Sequence, residues 1–92
     1  MIRVFVVYEE EPDAARYEQH VELCHQVPGV TFRHGKVLRT LHGQPELHHY
    51  AEFEFPGMDA FKAVADAPEF RATGKDAAEM GYPHSVYLAE VE

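Results

Sequence analysis

A chain of 92 residues with a single cysteine, Cys24, is too short for two cores and cannot form an intrachain disulfide. It buries only a little over about 60% of its unfolded surface, so dimerisation is the ordinary remaining source of stability. Sixteen acidic against eight basic residues give a net charge of −8, which repels phosphate backbones and anionic lipid and argues against nucleic acid and membrane surfaces as partners.

Ile2 to Tyr8 is a β-branched and aromatic run closed by Glu9-Glu10-Glu11-Pro12, and it reads as the first strand. Ile2, Val4 and Val6 fall on one of its faces and Phe5 and Val7 on the other, so both sides of the sheet need cover. Asp13 is the expected N-cap of a helix to Gln26 that aligns Tyr17, His20, Val21, Cys24 and Val27, with Pro28-Gly29 as its stop. Arg16, Glu18, Gln19, Glu22 and His25 are expected to point elsewhere. Val30 to Leu41 reads as a long second strand with a bulge or bend at Gly35, followed by a turn at Gly43-Gln44-Pro45. His48 to Phe55 returns as a third strand, with His49, Ala51, Phe53 and Phe55 on one face and His48, Tyr50, Glu52 and Glu54 on the other. A helix from Asp59 turns Phe61, Val64 and Ala65 inward, breaks at Pro68 and resumes from Glu69 with Phe70, Thr73, Ala77 and Met80 aligned and Asp76 bordering that face. Ser85 to Val91 supplies the last strand.

The order βαββαβ is that of a ferredoxin-like α+β fold, a four-stranded antiparallel sheet with its helices on one face, and we expect residues 1–92 to form one such domain. The other face is then bare. A second copy packed against it makes an isologous homodimer. The opening Met1-Ile2-Arg3-Val4 carries no basic n-region or long apolar run, so a reducing cytoplasm is the expected location.

Three stretches resemble the EthD family of the dimeric α+β barrel superfamily. Tyr17-x-x-His20-x-x-Leu23 running into Val27-Pro28-Gly29 is similar to that family's histidine-bearing helix ending in Leu-Pro-Gly. His42-Gly43-Gln44-Pro45 with His48-His49-Tyr50-Ala51-Glu52-Phe53 resembles its hairpin, and Ala67-Pro68-Glu69-Phe70 through Asp76 to Met80 resembles its Ser-Pro-Glu-Gly segment and following aspartate. The chain departs from the pattern at Glu22, where the family often has proline, at Ala67, where it has serine, and at Phe70, where it has glycine. The resemblance implies a homodimeric eight-stranded barrel with helices outside. It implies little about activity: the family is linked to degradation of an ether fuel additive, and relatives oxidise, decarboxylate or isomerise aromatic polyketides.

His20, on the apolar face with Tyr17, Val21 and Cys24, is the first candidate for proton transfer near neutral pH, with a hydrogen-bonded core histidine as the structural alternative. Asp76 faces the same layer and can orient the imidazole, or sit solvated at the edge. Tyr17 can donate to a substrate oxygen or simply pack. His49, Ala51, Phe53 and Cys24 are the expected pocket wall, with small Ala51 leaving room beside His49. A lone buried cysteine is usually inert, although Cys24 as a nucleophile stays open. His48 and His49 diverge from one strand, and no His-x-x-x-His, HExxH or cysteine partner occurs, so no metal is expected. No glycine-rich phosphate loop or nucleotide fingerprint is present, so no cofactor is expected either.

These residues suggest a small cofactor-independent enzyme. In it His20 is general acid or base on an enolisable carbonyl or an aromatic, polyketide-like or xenobiotic substrate, Asp76 orients it and Tyr17 binds oxygen. Two alternatives remain: a non-catalytic binding or accessory protein holding a small apolar molecule in the same pocket, and a haem-handling dimeric barrel, since superfamily relatives bind haem.

Overall fold

The computed structural model describes residues 1–92. Its elements are β1 (Ile2–Tyr8), α1 (Ala14–His25), β2 (Thr31–Lys36), β3 (His49–Phe55), α2 (Met58–Ala65), α3 (Pro68–Met80) and β4 (His84–Glu90). The strands form one antiparallel sheet in the order β2-β3-β1-β4, the ferredoxin-like arrangement. β1 lies at its centre, with Val4 opposite Phe53 on one side and Leu88 on the other.

Local chemistry sets the helix ends. The Asp13 carboxylate accepts from the Arg16 backbone N–H at 3.0 Å and opens α1, satisfying one of the donors the first turn leaves free. Pro68 sits at the start of α3, where its missing N–H removes no helical hydrogen bond, and this separates α3 from α2. Gly81, at φ 76°, ends α3 in the left-handed conformation that glycine adopts without strain.

All three helices lie on the face of the sheet that carries Ile2, Val4, Phe53 and Phe55. These four pack with Cys24 and Val27 from the α1 side, and Phe61, Val64 and Phe70 close over them from α2 and α3. A second cluster, of Tyr8, Tyr17 and Val21, fills the other end of the same layer. The opposite face carries Phe5 stacked on Tyr87 at 5.1 Å, with Tyr87 49% and Tyr50 38% exposed, and no helix covers it. Arg3 and Arg33 are there paired with Glu54, at 2.6 and 3.0 Å, and lie near Glu52.

The second strand is shorter and straighter than its sequence suggests. It ends at Lys36, opposite His49, and its register with β3 runs unbroken through Gly35, with no bulge. Beyond Lys36 the partner strand has run out. Backbone bonds from Val37 N–H to the His48 carbonyl and from His48 N–H to the Tyr8 carbonyl close the ladder, and residues 38–47 form a connection rather than strand. The phase slip in the hydrophobic alternation marks this exit. Gly35 has a different reason: a Cβ there would lie 2.6 Å from the Tyr50 hydroxyl, so the glycine makes room for the Tyr50 ring across the strand pair. The last strand begins one residue earlier than expected, at His84, opposite Tyr8.

Candidate functional site

Between α1, α3 and the sheet lies a cavity of about 200 Å³, lined by residues of β1, β3, β4 and both helices. His20 and Cys24 reach it from α1, Phe70, Thr73 and Ala77 from α3, and Ala51 and Phe53 from β3. Sequence periodicity had placed His20 on this face, and Ala51, Phe53 and Cys24 on the same side of the layer. The wall is mostly apolar, so polar groups directed into it act at low dielectric.

His20 is 5% exposed and its Nδ1 lies 2.8 Å from Asp76 Oδ2 on α3. Arg16, one turn before His20, holds the same carboxylate with two hydrogen bonds, Nη2 to Oδ1 at 2.7 Å and Nη1 to Oδ2 at 3.1 Å. The sequence reading turned Arg16 away from this face. The structure corrects it, because the long side chain reaches across α1 to α3 and its guanidinium fork matches a carboxylate. The Arg16 hydrogen bonds hold the Asp76 carboxyl below the usual carboxylate range, and the His20 hydrogen bond adds to this against the cost of burial. An ionised carboxylate only accepts, so Nδ1 of His20 carries the hydrogen and the neutral ring has its acceptor at Nε2. That nitrogen is 3.6 Å from Cys24 Sγ at the cavity wall. Burial pushes the Cys24 thiol up to about 12, so the sulfur is a protonated weak donor rather than a thiolate.

The depressed pKa of Asp76 has a consequence for stability. A carboxylate with a lower pKa in the folded state stabilises it above the unfolded pKa, and that contribution is lost as pH falls through the folded value. Asp76→Asn is therefore expected to lower stability at neutral pH, with the gap to wild type closing in strong acid. Urea unfolding at both pH values checks this, and an equal gap at each would show that the charge is not responsible.

Tyr17 and His49 lie together, outside the cavity wall. Their rings are 5.0 Å apart, and neither the Tyr17 hydroxyl nor His49 Nδ1 has a hydrogen-bond partner although both are buried. Burial pushes the Tyr17 phenol up to about 12 and the His49 imidazole down. The tyrosine on the wall is instead Tyr8, 1% exposed and packed edge-on against Tyr17 at 5.6 Å. Burial raises its pKa, so its hydroxyl stays a neutral donor. Sequence reasoning counted Tyr8 as the end of a strand; its signal was the even spacing from Val4 and Val6. Phe70, where the EthD pattern has glycine, projects into the cavity and meets Phe53 edge-on at 5.3 Å, which narrows it.

No cluster of three or more His, Cys, Asp or Glu side chains is placed to hold a metal. At about 200 Å³ the helix-side cavity is smaller than the about 300–1,000 Å³ of pockets for drug-sized ligands.

Among solved structures, the chain is similar to an EthD family protein from Bacillus halodurans, with a TM-score of 0.83 and 17% identity over 100% of this chain and 99% of that one. The fold is EthD-like. The chain is also similar to a dimeric ferredoxin-like protein of unknown function from Jannaschia, at TM-score 0.76 and 21% identity over 98% of both chains. It is similar as well to SnoaB, a cofactor-independent oxygenase from Streptomyces nogalater, at TM-score 0.56 and 15% identity over 98% of this chain and 90% of that one. At these identities the likeness is one of fold. No family model and no curated protein matches the sequence. No helix is long and apolar enough to cross a membrane.

Proposed function

We propose that this chain belongs to the EthD family and is a small homodimeric, cofactor-independent enzyme, with His20 as general base and acid on an enolisable carbonyl or an aromatic substrate. The observation that carries this reading is the hydrogen bond from His20 Nδ1 to Asp76, which commits that nitrogen and leaves Nε2 to exchange protons at the cavity wall. Asp76 orients the ring and stabilises the imidazolium formed when Nε2 takes a proton from carbon. Arg16 keeps Asp76 ionised and in place. The Tyr8 hydroxyl, rather than that of Tyr17, then donates to the oxygen on which negative charge develops. Cys24 acts by filling the wall and holding Nε2 until substrate displaces its weak hydrogen bond.

Size limits the substrate. An apolar cavity of about 150 Å³ is enough to hold benzene, so about 200 Å³ suits one ring rather than a fused polycycle. Acetophenone is a matching probe, and its methyl protons exchange with D2O only through the enol or enolate. Exchange above the buffer rate, saturable in ketone, is the expected result by proton NMR. Exchange at the buffer rate with saturable binding would overturn the enzyme in favour of a carrier of small apolar molecules, the reading that the largely apolar wall supports on its own.

The homodimer is supported by the uncovered sheet face and by the neighbours described as dimeric. Phe5, Tyr50 and Tyr87 are the apolar centre of that face, flanked by a groove of about 390 Å³ beside Arg3 and Glu52, where Arg3 Nε is buried without a hydrogen bond, 3.7 Å from the Glu52 carboxylate. A two-fold axis through it sets apolar surface on apolar surface and lets the alternating charges pair between copies. Phe5→Glu is expected to give a monomer by sedimentation velocity, since it buries an unpaired carboxylate at the centre of the interface. A dimer of unchanged affinity would exclude this face.

A further inference from the structure

A second imidazole borders the helix-side cavity and takes no part in the dyad. His84, the first residue of β4, is half-buried on the cavity wall with its ring 5.6 Å from that of Tyr8. Its Nδ1 lies 2.8 Å from the Tyr82 carbonyl oxygen. A carbonyl only accepts, so Nδ1 carries the hydrogen and Nε2 is the ring's uncommitted acceptor. The cavity thus brings two imidazoles in the same tautomer, His20 and His84, to a wall otherwise made by side chains such as Val4, Val6, Phe53 and Val86.

We propose that His84 selects the ligand, accepting a hydrogen bond from a hydroxyl on a single-ring aromatic or its enol, while His20 works at carbon. This rests on the reading of the cavity as a substrate site. A neutral ring with one hydroxyl meets both demands of the wall: the ring covers the apolar side chains and its O–H satisfies Nε2 of His84. An apolar ring of the same shape strips water from that nitrogen and returns nothing, and an unpaired buried acceptor costs more than a made hydrogen bond contributes. A carboxylate offers only acceptors to an acceptor, so acids are poor partners for this nitrogen.

Phenol and toluene share a shape and differ in the hydroxyl, which makes them the probes. Calorimetric titration of the wild-type protein is expected to show phenol bound about tenfold or more tightly than toluene, the discrimination one buried hydrogen bond supplies. His84→Phe keeps a ring against Tyr8 and is expected to abolish the preference while toluene still binds. His84→Gln, which restores an acceptor oxygen, recovers part of it. Toluene bound as well as phenol by the wild type, or a preference that survives His84→Phe, overturns the role of His84 and leaves that of His20 standing. If neither ring binds, the cavity is not a ligand site, and the proposed function fails along with this inference.

Discussion

His20→Gln is expected to lower protein-dependent exchange of the acetophenone methyl protons by about 10²–10⁴-fold, the range that a positioned acid–base group contributes. Glutamine is of similar length and polar, so the cavity keeps its shape while losing the imidazole nitrogen that takes the proton. Asp76→Asn is expected to approach the same loss by a different route. Arg16 donates to both carboxylate oxygens, so an amide at this position gives its oxygen to Arg16 and turns its NH2 toward His20. Nδ1 must then accept, the hydrogen moves to Nε2, and the wrong nitrogen faces substrate. Retention of wild-type exchange by His20→Gln would remove His20 from the chemistry. Loss in His20→Gln but not in Asp76→Asn would keep the base and discard the dyad.

Phe55→Ala is expected to cost about 3–5 kcal/mol, the usual range for a buried phenylalanine truncated to alanine. Phe55 is fully buried, and it meets Phe61 of α2 and Phe70 of α3 edge-on at 5.3 and 6.2 Å. It is therefore the point where the sheet holds both C-terminal helices. Domains are stable by about 5–15 kcal/mol, and small ones bury proportionally less surface, so this loss takes much of the total. The midpoint of urea unfolding followed by circular dichroism reads it directly. A shift worth less than about 1 kcal/mol would mean that the helices are anchored elsewhere.

Most of the fold could be read from the residues because the strands and helices alternate in two clean periods. The apolar spacing of Ile2 to Tyr8 and of His49 to Phe55 fixed the faces of β1 and β3. Pro68 and the glycine after Met80 bounded α3. The second strand was overextended because periodicity cannot see where a partner strand ends, and Gly35 was given a backbone reason when its cause is a ring on the neighbouring strand. Within the site, a helical face holding His20 and another holding Asp76 were visible; their distance was not, since two faces of one layer can meet at any of several places. Arg16 was missed although it stands one helical turn from His20, because a charged residue was assumed to seek water. His84 was missed because the last strand was begun at Ser85, one residue too late, which removed a histidine in phase with Val86 and Leu88.

The contacts of Asp76 span 60 residues to Arg16 and 56 to His20, and no other side-chain ion pair or hydrogen bond ties α1 to α3. The group that aims the imidazole is thus also a fastener between the two helices that roof the cavity. When α3 lifts, the imidazole loses the carboxylate that sets its tautomer and the cavity loses its wall in the same event. On the proposed mechanism, heating is expected to silence such a molecule before it melts. On the proposed mechanism, sequence drift that loosens the roof registers first as lost catalysis, so selection for activity alone is enough to keep the two helices clasped.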